Sequence, residues 1–172
     1  MPRKDHVSYS CSRTLSDLLH CEICRLHQDQ SSVDHYEIYR GPLWILRHHP
    51  DPAPLVGWFL LDARRHLGGP VGFNADEAAD WGGSVQQACR LVKHLTGCDR
   101  VYVIAFGEGA RHLHLHLIPR YVEDQATEAW AVADLYRAVI LGERNPADPV
   151  QVSNLVRRGR HVWPTLGSKR CS

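Results

Sequence analysis

No stretch of this sequence stays apolar for the roughly 20 residues that a bilayer-spanning helix needs, so nothing in it predicts a membrane segment. Charge of one sign is equally lacking. Twenty Lys and Arg against 19 Asp and Glu leave +1 with histidine neutral, a balance that predicts no electrostatic pull toward nucleic acid or an anionic membrane. The opening Met-Pro-Arg-Lys-Asp-His has basic groups but no apolar stretch behind them, and does not read as a secretory signal. A disulfide framework is missing too, because the six cysteines, at 11, 21, 24, 89, 98 and 171, are too dispersed to build one. A reducing, cytoplasmic setting is the expectation. With 44% apolar and 23% charged residues, a chain of 172 suits one domain with a single sizeable core.

Histidine is what the chain has in quantity. It has 12, and His112, His114 and His116 alternate with Leu113, Leu115 and Leu117 ahead of Ile118-Pro119. Alternation is the strand period, so the three imidazoles share one face about 6.5 to 7 Å apart. The leucines enter the core behind them. An ordinary half-buried strand shows mixed polar residues on its wet face. Three imidazoles in a row instead offer nucleophiles, proton carriers or metal ligands on one rigid surface. The plain alternative is a solvated strand face in a histidine-rich chain.

Residues 1–13 are polar and unpatterned, and are expected to be a disordered tail. Thr14 or Ser16 can cap a short helix with Leu15, Leu18 and Leu19 that runs into Cys21-Glu-Ile-Cys24. Tyr36 to Arg40 and Leu43 to Arg47 read as strands around Gly41-Pro42, and the proline-rich 48–54 as a loop. Gly57 to Asp62 is the next strand. Asn74 and Glu77 have the spacing of a capping box for a long helix over Ala78, Trp81, Val85, Ala88, Val92 and Leu95, stopped by Gly97. Val101 to Phe106 leads through a short glycine-bearing loop to the histidine strand, which argues for antiparallel pairing. Asp124 can cap a helix ending at Gly142, and Asp148-Pro149 opens another closing at Gly159. The expected organisation is an α+β domain over 14–122, an antiparallel sheet of about five strands with a long packed helix. A helical extension over 123–172 follows it.

Cys21-x-x-Cys24 is half of a tetrahedral metal site, and no βαβ pattern of a thioredoxin-like redox motif surrounds it. Arg111 precedes the triad and Arg120 follows Pro119, and either can meet a phosphate bidentately or be a solvated strand end. Trp44 and Trp58 can stack on a base but read more simply as core. The basic Arg157, Arg158, Arg160, His161, Lys169 and Arg170 read as a solvated tail rather than a nucleic-acid surface.

The run HLHLHLIPR resembles the signature of the histidine triad (HIT) family. Gly57-Trp-Phe-Leu-Leu-Asp-Ala-Arg-Arg-His66 looks like that family's strand ending in a basic pair and His before its long helix. The likeness covers about residues 20 to 120. It implies the HIT-like fold and a nucleotide hydrolase or nucleotidyltransferase acting at an α-phosphate, of dinucleoside polyphosphate or nucleoside phosphoramidate type, through a nucleotidyl-histidine intermediate. By position, His114 is the implied nucleophile and His116 assists with phosphate binding and proton delivery. Backbone N–H groups of the Gly107–Gly109 loop can hold the non-bridging oxygens, with Arg111 and Arg120 as the further candidate phosphate contacts. The zinc-bearing branch of the family implies a structural zinc at Cys21, Cys24, His66 and His112, with His20, His27 and His35 as rival third ligands by proximity. It also implies a homodimer through the long helix and a strand edge. The chain departs from many family enzymes in the short loop Phe106-Gly-Glu-Gly-Ala-Arg111, which lacks their Asn and Gly-Gln-Ser groups and puts Glu108 near an anionic substrate. That departure motivates the alternative, a non-catalytic nucleotide- or partner-binding module on the same fold.

Overall fold

The structure is a computed structural model and describes residues 21–107 and 109–166. The tail at 1–13, the helix expected around Leu15 to Leu19, His20, Glu108, Lys169 and Arg170 lie outside the described residues.

A five-stranded sheet carries the site. Its strands are β1 (Glu37–Arg40), β2 (Trp44–His48), β3 (Phe59–Ala63), β4 (Arg100–Ala105) and β5 (His114–Arg120). They lie in the order β1-β2-β3-β5-β4, every neighbour antiparallel. Before the sheet come α1 (Glu22–Leu26) and α2 (Gln30–Tyr36). The long helix α3 (Ala75–Thr96) joins β3 to β4, and α4 (Val132–Ile140) and α5 (Pro149–Leu166) follow β5.

Strand alternation divides the sheet into two faces. Leu46, Phe59, Leu61, Leu115 and Leu117 point to one face, where Ala88, Leu91 and Val92 of α3 and Val152, Val156 and Trp163 of α5 close the main core. Each such buried aliphatic or aromatic side chain stabilises the fold by about 1.5 to 3 kcal/mol before entropy is counted. The capping box forms as the sequence implies. The Asn74 Oδ1 accepts from the Glu77 N–H at 2.9 Å, and Glu77 Oε2 accepts from the Asn74 N–H at 2.8 Å. Gly97, at φ +69°, takes the left-handed turn that ends the helix.

Four local expectations differ. The helix α2 precedes β1, so Tyr36 ends a helix instead of starting a strand. Its polar sequence has no apolar period, and Asp29 caps it by accepting from the Ser32 N–H at 2.9 Å. His48 completes β2 ahead of the proline-rich loop, its Nε2 accepting from the Gly57 N–H at 2.9 Å. Asp124 caps only a short 3-10 turn at Gln125–Thr127, and α4 starts later, at Val132. Helix α5 does not stop at Gly159. A Cβ there would sit 3.1 Å from Ile38 Cδ1, so the glycine permits close approach of α5 to β1 and the helix continues to Leu166. Among the described residues, no helix is long and apolar enough to cross a membrane.

Candidate active site and adjoining Cys/His cluster

The opposite face of the sheet is not wet. His112 and His116 are buried, and between Arg111 and Arg120 only His114 is partly exposed. The triad thus separates into one accessible imidazole and two enclosed ones. The pairing is Arg47 opposite Leu60 opposite His116, and Ile45 opposite Asp62 opposite His114. Both rows rise from this face.

His112 stands just before β5. Its Nε2 lies 2.7 Å from the Ala63 carbonyl, which can only accept, so Nε2 carries the proton and the Nδ1 lone pair faces inward. That lone pair is 3.5 Å from Cys21 Sγ and 3.4 Å from Cys24 Sγ, and Cys24 Sγ is 3.4 Å from His66 Nδ1. The ligand atoms of all four residues lie within 4.8 Å of one another. Tetrahedral zinc, with bonds of about 2.3 Å to sulfur and about 2.0 Å to nitrogen, requires sulfur-to-nitrogen edges of about 3.5 Å. The cluster fits that ion.

Local sequence builds it. Cys21 caps α1 by accepting from the Cys24 N–H at 3.5 Å, which turns both thiols to one side. Arg65, beside His66, is gripped by Glu77 at 2.9 and 2.6 Å, so the capping box of α3 also steadies the His66 segment. The Cys24 thiol is pushed up to about 12, first by burial and then by the hydrogen bond and charge of Cys21. Two thiolates at this spacing need a cation. Of the rival ligands, His27 turns to Asp62 instead and His35 is exposed, bonded to the Ser31 carbonyl.

His114 Nδ1 lies 2.5 Å from the His112 carbonyl. Nδ1–H must donate there, which leaves the Nε2 lone pair of the one accessible triad imidazole free to attack. His116 is set by Trp58, whose indole N–H, a donor only, reaches His116 Nδ1 at 2.9 Å. The ring proton of His116 is therefore on Nε2. Burial first, then the nearby His114 and His49, lowers its pKa to about 3. Burial and the Trp58 N–H both favour a neutral His116 whose one ring proton, on Nε2, is a hydrogen-bond donor. Trp44 is buried in an aromatic group with Phe73 and Trp81, its N–H on Asp80 at 2.7 Å. Neither tryptophan is a free stacking surface.

Sequence reasoning missed a buried charge network on this face. Asp62 Oδ2 accepts from Arg47 Nε at 2.6 Å and faces His27 Nε2 at 2.8 Å. Burial works to raise the Asp62 pKa, but Arg47 and His27 outweigh it and hold the carboxyl well below the usual range. It missed Tyr136 of α4 as well, whose ring lies 5.5 Å from His49, 5.9 Å from Trp58 and 6.4 Å from His116. The only advance signal was an Asp and an Arg inside otherwise apolar strands. Of the expected phosphate holders, Gly107, Gly109 and Arg111 are exposed in the loop before β5. Arg120 is buried, and its guanidinium donates to the Asp124 carbonyl, Thr127 Oγ1 and Glu128.

Solved structures share this fold. A Zn-bound histidine triad family protein from Mycobacterium smegmatis superposes with a TM-score of 0.63 at 17% identity, over 89% of this chain and 99% of that one. The fold is the histidine triad fold. A Hit-like protein involved in cell-cycle regulation from Bartonella henselae matches at TM-score 0.60 and 14% identity, over 83% and 95%. A hypothetical histidine triad nucleotide-binding protein from Sulfolobus tokodaii matches at 0.57 and 16%, over 80% and 91%. No protein-family model matches the sequence, and no curated protein does.

Proposed function

We propose that this protein is a nucleotide hydrolase or nucleotidyltransferase that works at an α-phosphate with His114 as nucleophile. The observation that carries the reading is the state of His114: partly exposed, its Nδ1–H held by the His112 carbonyl, its Nε2 lone pair unused. Attack by Nε2 on the α-phosphorus forms a P–N bond as the bond to the leaving group breaks and that group departs with the electron pair, and the carbonyl stabilises the positive charge that grows on the ring. The His116 Nε2–H is assigned to donate to a non-bridging oxygen. The backbone of Gly107 and Gly109 and the Arg111 side chain, all exposed, are assigned to the rest of the phosphate. Water or an acceptor then resolves the intermediate.

Cys21, Cys24, His66 and His112 are assigned to one structural zinc, which would tie α1 to the sheet. A homodimer through the long helix α3 and the exposed β4 edge, and a cytoplasmic location where the thiols stay reduced, complete the reading.

Incubation with a panel of radiolabelled nucleotides, followed by digestion, tests the chemistry. The expected result is a label on the peptide containing His114 and no turnover by a folded His114→Ala. Full turnover by that variant sinks the mechanism, and saturable binding without label across the panel favours the binding module. For the metal, elemental analysis is expected to find about one zinc per chain, lost in Cys24→Ser together with thermal stability. Metal-free wild-type protein of unchanged melting temperature refutes the assignment.

A further inference from the structure

The Cys/His cluster and the nucleophile meet in one residue. The His112 ring faces Cys21 and Cys24, while its carbonyl holds the Nδ1–H of His114. Whatever moves the two sulfurs therefore acts on the residue that sets the His114 tautomer. The ring has little slack. His112 is 2% exposed, and its other nitrogen is on the Ala63 carbonyl at 2.7 Å.

The two sulfurs are also placed to join each other. All four ligand atoms of the cluster lie within 4.8 Å of one another, the Cys21 and Cys24 Sγ included. Cys21 opens a single helical turn: its carbonyl accepts from the Arg25 N–H at 3.1 Å and its Sγ from the Cys24 N–H at 3.5 Å. Residues three apart in such a turn have Cα atoms about 5 Å apart. That lies inside the range of about 4.4 to 6.8 Å that a disulfide spans. Cys24 is partly exposed, and Cys21 is buried behind it. The sulfur that solvent reaches is thus backed by a second one in position to resolve it. Cys89 and Cys98 belong to the main core on the other face of the sheet. Bound zinc would keep both cluster sulfurs as thiolates, the form that oxidants attack.

We propose that Cys21 and Cys24 are a redox switch on His114, thrown by a hydroperoxide. The inference rests on the two assignments above, zinc at the cluster and His114 as nucleophile. The Cys24 thiolate attacks one oxygen of hydrogen peroxide. An S–O bond forms, the O–O bond breaks and hydroxide leaves. The Cys21 thiolate then attacks the Cys24 sulfur, forming the S–S bond as the S–O bond breaks and a second hydroxide leaves. The sulfurs give up two electrons to the peroxide, and two protons from solvent turn the hydroxides into water. The disulfide takes both sulfurs out of the ligand set and leaves the buried His112 Nδ1 without them. His112 then has to shift, and its carbonyl no longer holds the His114 proton in place. A dithiol reductant together with zinc resets the cluster.

The test treats the full, zinc-loaded chain with equimolar hydrogen peroxide. A chromogenic chelator reads zinc release, intact mass and peptide mapping locate the oxidation, and nitrogen-15 NMR reads the His114 ring. Expected are a mass lower by two hydrogens, a cross-linked Cys21–Cys24 peptide, release of the ion, and a His114 proton no longer confined to Nδ1. Label on His114 from a radiolabelled nucleotide is expected to fall about tenfold, the scale of one hydrogen bond to a group that gains charge. It is expected to return with dithiothreitol and zinc. Oxygen added to either sulfur in place of the disulfide overturns the proposal, and so does a disulfide that leaves the His114 tautomer unchanged. Loss of label while Cys21 and Cys24 are still reduced overturns it as well. If the reduced protein takes no label, the functional reading has failed, and mass, zinc release and the tautomer decide the switch alone. A chain that binds no zinc fails at the metal assignment, before peroxide is added, and the switch goes with it.

Discussion

Replacing Trp58 with Phe separates the hydrogen bond to His116 from the bulk of the ring that makes it. Trp58 is fully buried, and its N–H is what fills His116 Nδ1. In Trp58→Phe both His116 nitrogens lack a partner, since Nε2 has none to begin with. A buried acceptor stripped of its donor costs about 1 to 3 kcal/mol. The smaller ring leaves about 40 Å³ unfilled, which adds about 1 kcal/mol at roughly 24 cal/mol per Å³. The sum, about 2 to 4 kcal/mol, corresponds to a fall of about 4 to 16 °C in Tm for a chain of this length. Urea unfolding, with an unchanged m-value, measures the stability loss. Nitrogen-15 NMR of the histidine rings reads the tautomer. His116 is expected to be protonated on Nε2 in wild type and to be a mixture of tautomers in the variant. A loss below about 0.5 kcal/mol, or a wild-type His116 with its proton on Nδ1, refutes it.

Asp62→Asn keeps the shape of the side chain but leaves the Arg47 guanidinium as an uncompensated buried charge. It is expected to destabilise the fold by about 3 to 5 kcal/mol in chemical denaturation, and a loss under about 1 kcal/mol would show that water already compensates Arg47. Acid acts through the enclosed histidines. Burial, the largest cause in each case, lowers His48 and His49 to about 4 and His116 to about 3. The unfolded chain therefore binds protons, near pH 6.5, that the folded one refuses. Stability should fall as pH drops from about 7 toward 4, with a slope of up to about 1.4 kcal/mol per pH unit for each histidine. Equal stability at pH 7 and pH 5 would mean that these rings are not enclosed.

Features written in local spacing were legible in the sequence. The leucines of 113–117, the Asn74–Glu77 box and the Gly97 stop depend on neighbours a few residues away, and all formed. The four-residue Cys/His cluster was legible for another reason: the resemblance supplied the pairing of 21 and 24 with 66 and 112, which no local pattern encodes. What sequence reasoning missed depends on register. Trp58 meets His116 only because β3 pairs with β5, and Arg47 meets Asp62 only because β2 pairs with β3. A polar residue inside an apolar strand announces that it has a partner without saying which. Tyr136 lay on an expected helix, yet nothing in its period says that its face covers His116. Gly159 reads as a stop in one dimension and as a point of contact in three.

Helix α5 closes over β1 through Gly159 on Ile38, and Arg160 fastens the carbonyls of Val33, Asp34 and Glu37. Roughly 110 residues separate the end of β1 at Arg40 from the start of α5 at Pro149. At about 5 to 20 residues per second, the first strand waits about 5 to 20 s on the ribosome for the helix that covers it. Through that interval β1 is an open sheet edge beside an uncovered apolar surface. An uncovered surface of that kind is prone to aggregation until the helix arrives.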